Sequence, residues 1–380
     1  MNQKLCHSID SLHAKLEHKA ADIGALNVLM GLDGFVDNLV HVVDTRANSS
    51  EYKRITTIEG FGKRVLSASG LSTNIEFVVY ETKLGGNGTN MAVALLEYGT
   101  RLSYFGSIGA NGRVDPIFQE MAKKCDAVYT LSPPAQTDAL EFDDGKLMLG
   151  KLSSLTDITW ESVKAAFGEA QGFAESVSKS GLLGIENWTM IPHMNQILEG
   201  IIRDVFPLLP SPEERPFVFF DLCDPAKRST SDILKALEYV SGFEAKFRVI
   251  LGLNHKELFE IASALDIAFT ESTPEKELSR QVYERLNIHT LVVHPVREAF
   301  AWSVGEFFHV DGPYCEKPVL TTGAGDNFNA GFALCLALGF GADEALTLGV
   351  ATSGFYVRNG RSPSLCEVRK FLLDWKVGVI

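Results

Sequence analysis

The stretch with the most chemical content is Thr321-Thr322-Gly323-Ala324-Gly325-Asp326-Asn327-Phe328-Asn329-Ala330-Gly331, which runs directly into an apolar helical pattern of Phe332, Ala333, Leu334, Leu336 and Leu338. Gly-Ala-Gly-Asp therefore opens a helix. The first turn of a helix has backbone N–H groups without intrahelical acceptors and carries the positive end of the dipole. Glycines lack a Cβ and admit an anion close to the backbone. Gly323, Ala324 and Gly325 thus read as an anion hole that stabilises charge building on a migrating phosphoryl group. Asp326, in the same turn, can take the proton of an attacking alcohol, a contribution on the order of 10²–10⁴ in rate. The plain alternative is a glycine-rich loop with Asp326 as an ordinary first-turn acid, favoured there for capping alone. On this motif by itself the two readings stand level.

Three other clusters add weight. Lys83-Leu84-Gly85-Gly86-Asn87-Gly88-Thr89-Asn90-Met91-Ala92 precedes an apolar helix. Gly85 and Gly86 allow close approach of a ligand, and Asn87 and Asn90 offer the paired donors and acceptors that suit sugar hydroxyls. Asn254-His255-Lys256-Glu257 follows the apolar run Val249–Leu253. An amide and a carboxylate there can hold a hydrated Mg²⁺. Gly31-Leu32-Asp33-Gly34-Phe35-Val36-Asp37 places two carboxylates, Asp33 and Asp37, where they could accept hydrogen bonds from substrate hydroxyls. Taken singly, each has a better local explanation: a tight turn with an Asn cap, a capping box between Asn254 and Glu257, and turn chemistry around Asp33.

These residues need a scaffold that gathers them. Apolar runs at Phe77–Tyr80, Leu102–Phe105, Leu182–Ile185, Phe217–Phe220, Val249–Leu253 and Leu291–Val293 read as buried strands. Helical patterns lie between many of them, at 87–98, 115–125, 159–179, 194–205 and 231–240, and further helices are expected at 325–338, 343–358 and 364–375. Such alternation implies an α/β fold with a mostly parallel sheet covered on both faces. Leu5, Ile9, Leu12 and Leu16 predict an amphipathic helix over 2–23. Residues 45–75 are polar and glycine-punctuated, suited to a small sheet, a lid or a loop. Pro210–Pro216 reads as a surface loop.

A hydrophobic content of 46% provides for a large core, and a net charge of −13 argues against a nucleic-acid partner. The six cysteines contain no CxxC pair, which points to reduced thiols and a cytoplasmic protein rather than a zinc ribbon or disulfide scaffold. The N-terminus has no apolar signal core, and no run approaches the ~18 apolar residues of a membrane span. No GxGxxG follows the first strand, against a Rossmann dehydrogenase, and no GxxxxGK[ST] is present, against a P-loop kinase.

Together, in this order and spacing, the motifs resemble the ribokinase-like (PfkB) carbohydrate kinase family over roughly residues 27–375. Gly85-Gly86…Asn90-Met91-Ala92 looks like its first signature and Thr321–Gly331 like its second. Asn254…Glu257 looks like its Asn-x-x-Glu metal motif, and Gly106–Gly112 is similar to a further glycine-bearing segment. The resemblance implies a three-layer α/β/α domain over 27–380, preceded by a helical extension over 1–26. It also implies a small β-sheet lid from about 38–80, with 128–155 as a second candidate segment. The implied activity is transfer of the terminal phosphate of ATP, with Mg²⁺, to a hydroxyl of a sugar or nucleoside. Asp326 would be the base and Gly323, Ala324 and Gly325 the anion hole. Asp33, Asp37, Gly85, Gly86, Asn87 and Asn90 would contact the substrate. Asn254, Thr322, Asn329 and His294 would contact the nucleotide, and Asn254 and Glu257 would organise the metal's waters. Lid sheets in the family often pair, so a homodimer is a candidate assembly. Two positions depart from the pattern. Leu320 stands where the family commonly has Asp, which bears on the monovalent-cation site of some members. Val293-His294-Pro295-Val296 replaces the usual Thr-x-Gly. These departures keep open an alternative in which a weakened relative only binds a sugar or nucleotide as a sensor.

Overall fold

Strands buried on both faces dictate the architecture. In Phe217–Asp221, Val218 and Phe220 enter one apolar cluster while Phe217 and Phe219 enter another. Arg248–Leu253 divides in the same way, with Val249 and Leu251 on one side and Ile250 on the other. Successive side chains of a strand point to opposite faces, so a continuous apolar run needs a helical layer on each side. The computed structural model describes residues 3–210, 215–270 and 272–380 and has this three-layer α/β/α form. The loop expected at 210–216 falls largely outside the described residues.

Among the described residues the central sheet has nine strands, in the order Glu306–Asp311, Glu298–Ser303, Thr290–Val293, Arg248–Leu253, Phe217–Asp221, Leu182–Ile185, Asn27–Leu32, Arg101–Gly106 and Ala127–Thr130. Glu298–Ser303 pairs antiparallel with both of its neighbours, Glu306–Asp311 and Thr290–Val293, and the remaining pairs are parallel. Asn27–Leu32 pairs with Arg101–Gly106 on one side and with the later strand Leu182–Ile185 on the other. The strand order therefore reverses there, and the crevice beyond the carboxyl ends at such a reversal is where open α/β sheets take their ligands.

A second sheet is formed by Phe35–Arg46, Tyr52–Arg54, Phe77–Gly85, Ala135–Phe142 and Gly145–Lys151. Its own small core joins Val40, Val42, Leu140 and Phe142 to Ile58 and Phe61 of the helix Ile58–Leu66. Phe77–Tyr80, expected as a buried strand, belongs here instead, and Phe77, Val79 and Tyr80 are exposed. A short apolar run reports strand propensity but not which sheet receives it, and only part of this thin sheet is covered. Residues 127–130 likewise pair in the central sheet, so the lower boundary expected at 128 falls inside a strand of the large layer.

The helix Gln3–His18 is fully integrated with the second core. Ile9, Leu12 and Leu16 are wholly buried, and it packs on the helices Ala342–Asn359 and Leu365–Lys376. Ser8 bonds Thr347 across 2.9 Å, and Ser11 and Lys15 both reach Glu344, at 2.8 and 2.6 Å. The helix expected at 159–179 is two helices, Trp160–Phe167 and Ala170–Ser178, because Gly168 takes a left-handed φ of 67° and ends the first. Among the described residues no helix is long and apolar enough to cross a membrane.

Candidate active site

The sheet's carboxyl ends present one acid or amide after another. Asp33 follows Asn27–Leu32, Glu186 and Asn187 follow Leu182–Ile185, Asp221 ends Phe217–Asp221, Asn254 follows Arg248–Leu253, and His294 follows Thr290–Val293. Asp33 is fully buried, and its carboxylate accepts from the amides of Asn87 and Gly88, each at 2.9 Å, and from Asn187 Nδ2 at 2.6 Å. It thereby caps the helix Asn87–Glu97 from another part of the chain, where the dipole favours negative charge. A Cβ on Gly86 or Gly88 would lie 3.0 or 2.9 Å from that carboxylate, so both positions need glycine. Burial lifts the Asp33 pKa to about 6, against the pull of its donors.

The same helix start brings Asn90 to the C-terminal motif. Asn90 Nδ2 donates to Asp326 Oδ2 at 2.8 Å, joining residues 236 positions apart. Asp326 lies in the first turn of the helix Ala324–Ala337 and is 7% exposed. Burial pushes its pKa up to about 8; the Asn90 bond opposes the rise, and repulsion from Asp33, Glu257 and Asp37 adds to it. A carboxyl titrating near the working pH suits a proton acceptor. Asp37 reaches the region from the second sheet, in register with Lys83 and Thr137, and a Cβ on Gly85 would overlap its carboxylate. Its pKa is also raised, chiefly by burial, while Thr137, Lys83 and Lys146 hold it down.

The turn before the helix differs in one respect from expectation. Ala324 N–H closes onto Thr321 O at 3.1 Å, so that amide is engaged and is not an anion-hole donor in this conformation. Asn327 N–H is the first to bond within the helix start, to Gly323 O at 3.0 Å. Among the described residues the amides of Gly323, Gly325 and Asp326 have no acceptor.

Beside this turn lies a cavity of about 380 Å³, lined by Asn254, His294, Pro295, Tyr314, Thr321 and Gly325 among others. His294 packs on Phe328, ring centroids 4.9 Å apart, and on Gly325, and burial lowers its pKa to about 4, so it presents a neutral ring to the cavity. Two expected nucleotide contacts are placed elsewhere. Asn329 is fully buried one turn deeper, with Nδ2 on Asp221 Oδ2 at 3.0 Å and its carbonyl oxygen near Gly252. The helical twist that puts it on Asp326's face also aims it at the sheet. Thr322 sets its backbone carbonyl against Tyr356, and Thr321 lines the cavity in its stead.

Asn254 and Glu257 form a capping box, with Glu257 N–H on Asn254 Oδ1 at 3.0 Å and Asn254 N–H on Glu257 Oε2 at 2.8 Å. Glu257 Oε1 also accepts from Asp224 N–H at 2.9 Å. Two buried acids were not legible as site residues. Neither oxygen of Glu186 has a partner among the described residues, nor does Asp221 Oδ1. Burial raises both pKa values well above the carboxylate range. Asp221, Asp326 and Asp33 add repulsion at Glu186, and Glu257 and Asp326 do so at Asp221. An acid directly after a fully apolar strand was the available signal for both.

Because the Asn90 bond favours ionised Asp326, its loss is expected to raise that carboxyl's pKa. Asn90→Ala should move the ascending limb of the kcat/KM–pH profile from about 8 to higher pH and lower kcat by about tenfold at neutral pH. An unshifted limb in a steady-state pH series would contradict this.

A family model described as prokaryotic ketohexokinase matches residues 8–375. A ketohexokinase of Haloferax volcanii is 30% identical over 348 residues, covering 90% of this chain and 90% of that protein. The fold is similar to that of a ribokinase from Thermotoga maritima, with a TM-score of 0.62 at 17% identity over 91% of this chain and 98% of that one. It is also similar to an Arabidopsis thaliana ribokinase complexed with ribose and ATP, with a TM-score of 0.59 at 17% identity over 91% and 98%.

Proposed function

Because the chain belongs to the prokaryotic ketohexokinase family, we propose that it transfers the terminal phosphate of ATP to a hydroxyl of a ketohexose, with Asp326 as the base. The chain is a carbohydrate kinase, a phosphotransferase with an alcohol group as acceptor, and the binding-only alternative finds no support. The observation that carries the residue assignment is the Asn90–Asp326 hydrogen bond, which joins the sugar-type motif to the anion turn at one buried carboxylate.

In this reading the sugar lies at the reversal of the sheet. Its hydroxyls donate to Asp37 and to one oxygen of Glu186, whose raised pKa leaves a proton on the other oxygen, and Asn90 Oδ1 accepts from it while Nδ2 holds Asp326. Asp326 takes the hydroxyl proton as the oxygen attacks phosphorus, and the amides of Gly323 and Gly325 receive the charge that builds on the phosphoryl oxygens. The nucleotide occupies the cavity of Asn254, His294 and Thr321. Mg²⁺ suits the acids around Asp221, whose buried Oδ1 is unpaired and whose carboxylate is repelled by Glu257 and Asp326. Asp221 would hold it with Glu257 and Asn254 through water, and when bound it neutralises phosphate charge. The second sheet, which brings Asp37 to the site, acts as the lid. Its exposed Phe77, Val79, Tyr80 and Leu149 suit pairing with a second copy. Free cysteines throughout the described residues suit a cytoplasmic location.

The test is ADP release with Mg·ATP and a panel of ketohexoses, aldohexoses, aldopentoses and nucleosides. A ketohexose is expected to have a kcat/KM at least tenfold above the others, and that preference should vanish when EDTA removes the metal. Preference for a nucleoside or an aldopentose would overturn the acceptor assignment.

A further inference from the structure

Tyr356 lies outside every motif that the sequence offers. It stands near the end of the helix Ala342–Asn359 and is 8% exposed, and its hydroxyl donates to Thr322 O at 2.7 Å. The neighbouring Val357 carbonyl accepts from Val319 N–H at 2.7 Å. The segment leading into the anion turn is thus tied to this helix at two points. The phenol also fits flush against the turn: a Cβ on Gly323 would lie 2.8 Å from Tyr356 Oη.

What the hydroxyl grips matters more than that it grips. Thr321–Ala324 is a four-residue turn closed by Ala324 N–H on Thr321 O at 3.1 Å, and Gly323 has φ 89° and ψ 0°. Those angles at the third residue fit a type II or a type I′ turn; Thr322, the second residue, does not have the positive φ that type I′ requires, so the turn is type II, whereas type I has φ near −90° at the third residue. The two forms differ by a flip of the central peptide, here Thr322–Gly323. Because a trans peptide is planar, its C=O and N–H point in opposite directions. Fixing the Thr322 carbonyl therefore fixes the direction of Gly323 N–H, one of the unpaired amides of the turn.

We infer that Tyr356 is a positioning residue for phosphoryl transfer: its hydroxyl holds the Thr322–Gly323 peptide in the type II orientation and so aims the Gly323 amide at the transferring phosphate. The inference rests on the assignment of this turn as the anion hole. Burial, with repulsion from Asp326 and Asp37, pushes the phenol pKa far upward, so the group remains a donor throughout the working range. If Tyr356 served only to fill space, phenylalanine would replace it without cost.

The test is Tyr356→Phe, which keeps the ring. kcat is expected to fall by about tenfold, the loss of roughly one hydrogen bond's worth of orientation, while sugar KM and the pH limb of Asp326 stay at wild-type values and the thermal midpoint falls by no more than a few degrees. An active wild type alongside a Tyr356→Phe enzyme of equal kcat overturns the inference and leaves the kinase reading standing. A second readout does not depend on the sugar. ADP with orthovanadate, a phosphoryl mimic, should raise the thermal midpoint of the wild type beyond ADP alone, and Tyr356→Phe should lose most of that increment. Equal increments in the two proteins overturn the inference whatever the acceptor is. No increment in the wild type counts against the anion turn itself.

Discussion

Asp326→Asn is expected to lower kcat by about 10³-fold, within the range for loss of a positioned general base, while leaving the fold as stable or more so. The asparagine carbonyl can still accept from Asn90 Nδ2, which now reaches Asp326 Oδ2 at 2.8 Å, so geometry is retained and only proton affinity is lost. The stability sign follows from the raised pKa. The carboxyl titrates at 3.8 when unperturbed and at about 8 in the folded chain. Below 3.8 both states are protonated. As pH rises from there toward 8 the unfolded chain releases a proton that the folded chain retains, so stability falls across that window. A neutral asparagine escapes this penalty, and its thermal midpoint at pH 8 should equal or exceed that of the wild type. A variant that loses activity together with many degrees of thermal stability would show that Asp326 is structural.

Gly323→Ala is expected to cost at least about 10²-fold in kcat, the scale for removing one donor from an oxyanion-type site. Gly323 has φ 89°, and an added Cβ would stand 2.8 Å from Tyr356 Oη and 3.3 Å from Asn90 Nδ2. The turn must shift, and the amide direction shifts with it. Gly339 provides the control. It closes the far end of the same helix with φ 81°, and a Cβ there meets nothing within 4 Å. Gly339→Ala meets a similar backbone penalty, about 1–2 kcal/mol, and should lose stability but keep its turnover. Equal loss of kcat in both variants would remove the anion turn from the mechanism.

Sequence patterns reached the central sheet because its strands are buried on both faces, so composition alone marks them. Leu182–Ile185 and Arg248–Leu253 could hardly be read otherwise. In the edge hairpin, the outer strand Glu306–Asp311 is obscured because exposure dilutes its apolar run with Glu306, His309 and Asp311, whereas Glu298–Ser303 is mostly buried and its short run is simply not singled out. Asp326 was legible because glycine, acid and apolar helix are contiguous. Glu186 and Asp221 carry only the weak signal of an acid after an apolar strand and Tyr356 carries none, because what gathers them at the site is the approach of distant segments. Asp33 meets Asn187 across 154 positions and Asn329 meets Asp221 across 108. The Ala324 amide is engaged in this conformation for a local reason. Helix starts advertise free N–H groups, but a type II turn consumes one of them.

The docking of Gln3–His18 has a consequence for biosynthesis. Its partners on the last helices lie some 330 positions later, as in Lys15 to Glu344. At ribosomal rates of ~5–20 residues per second, those partners emerge tens of seconds after it. Throughout that interval an amphipathic segment carrying Ile9, Leu12 and Leu16 has no native cover, which makes it a natural client for chaperones on the nascent chain. The second apolar layer can close only once the helices Ala342–Asn359 and Leu365–Lys376 have been made.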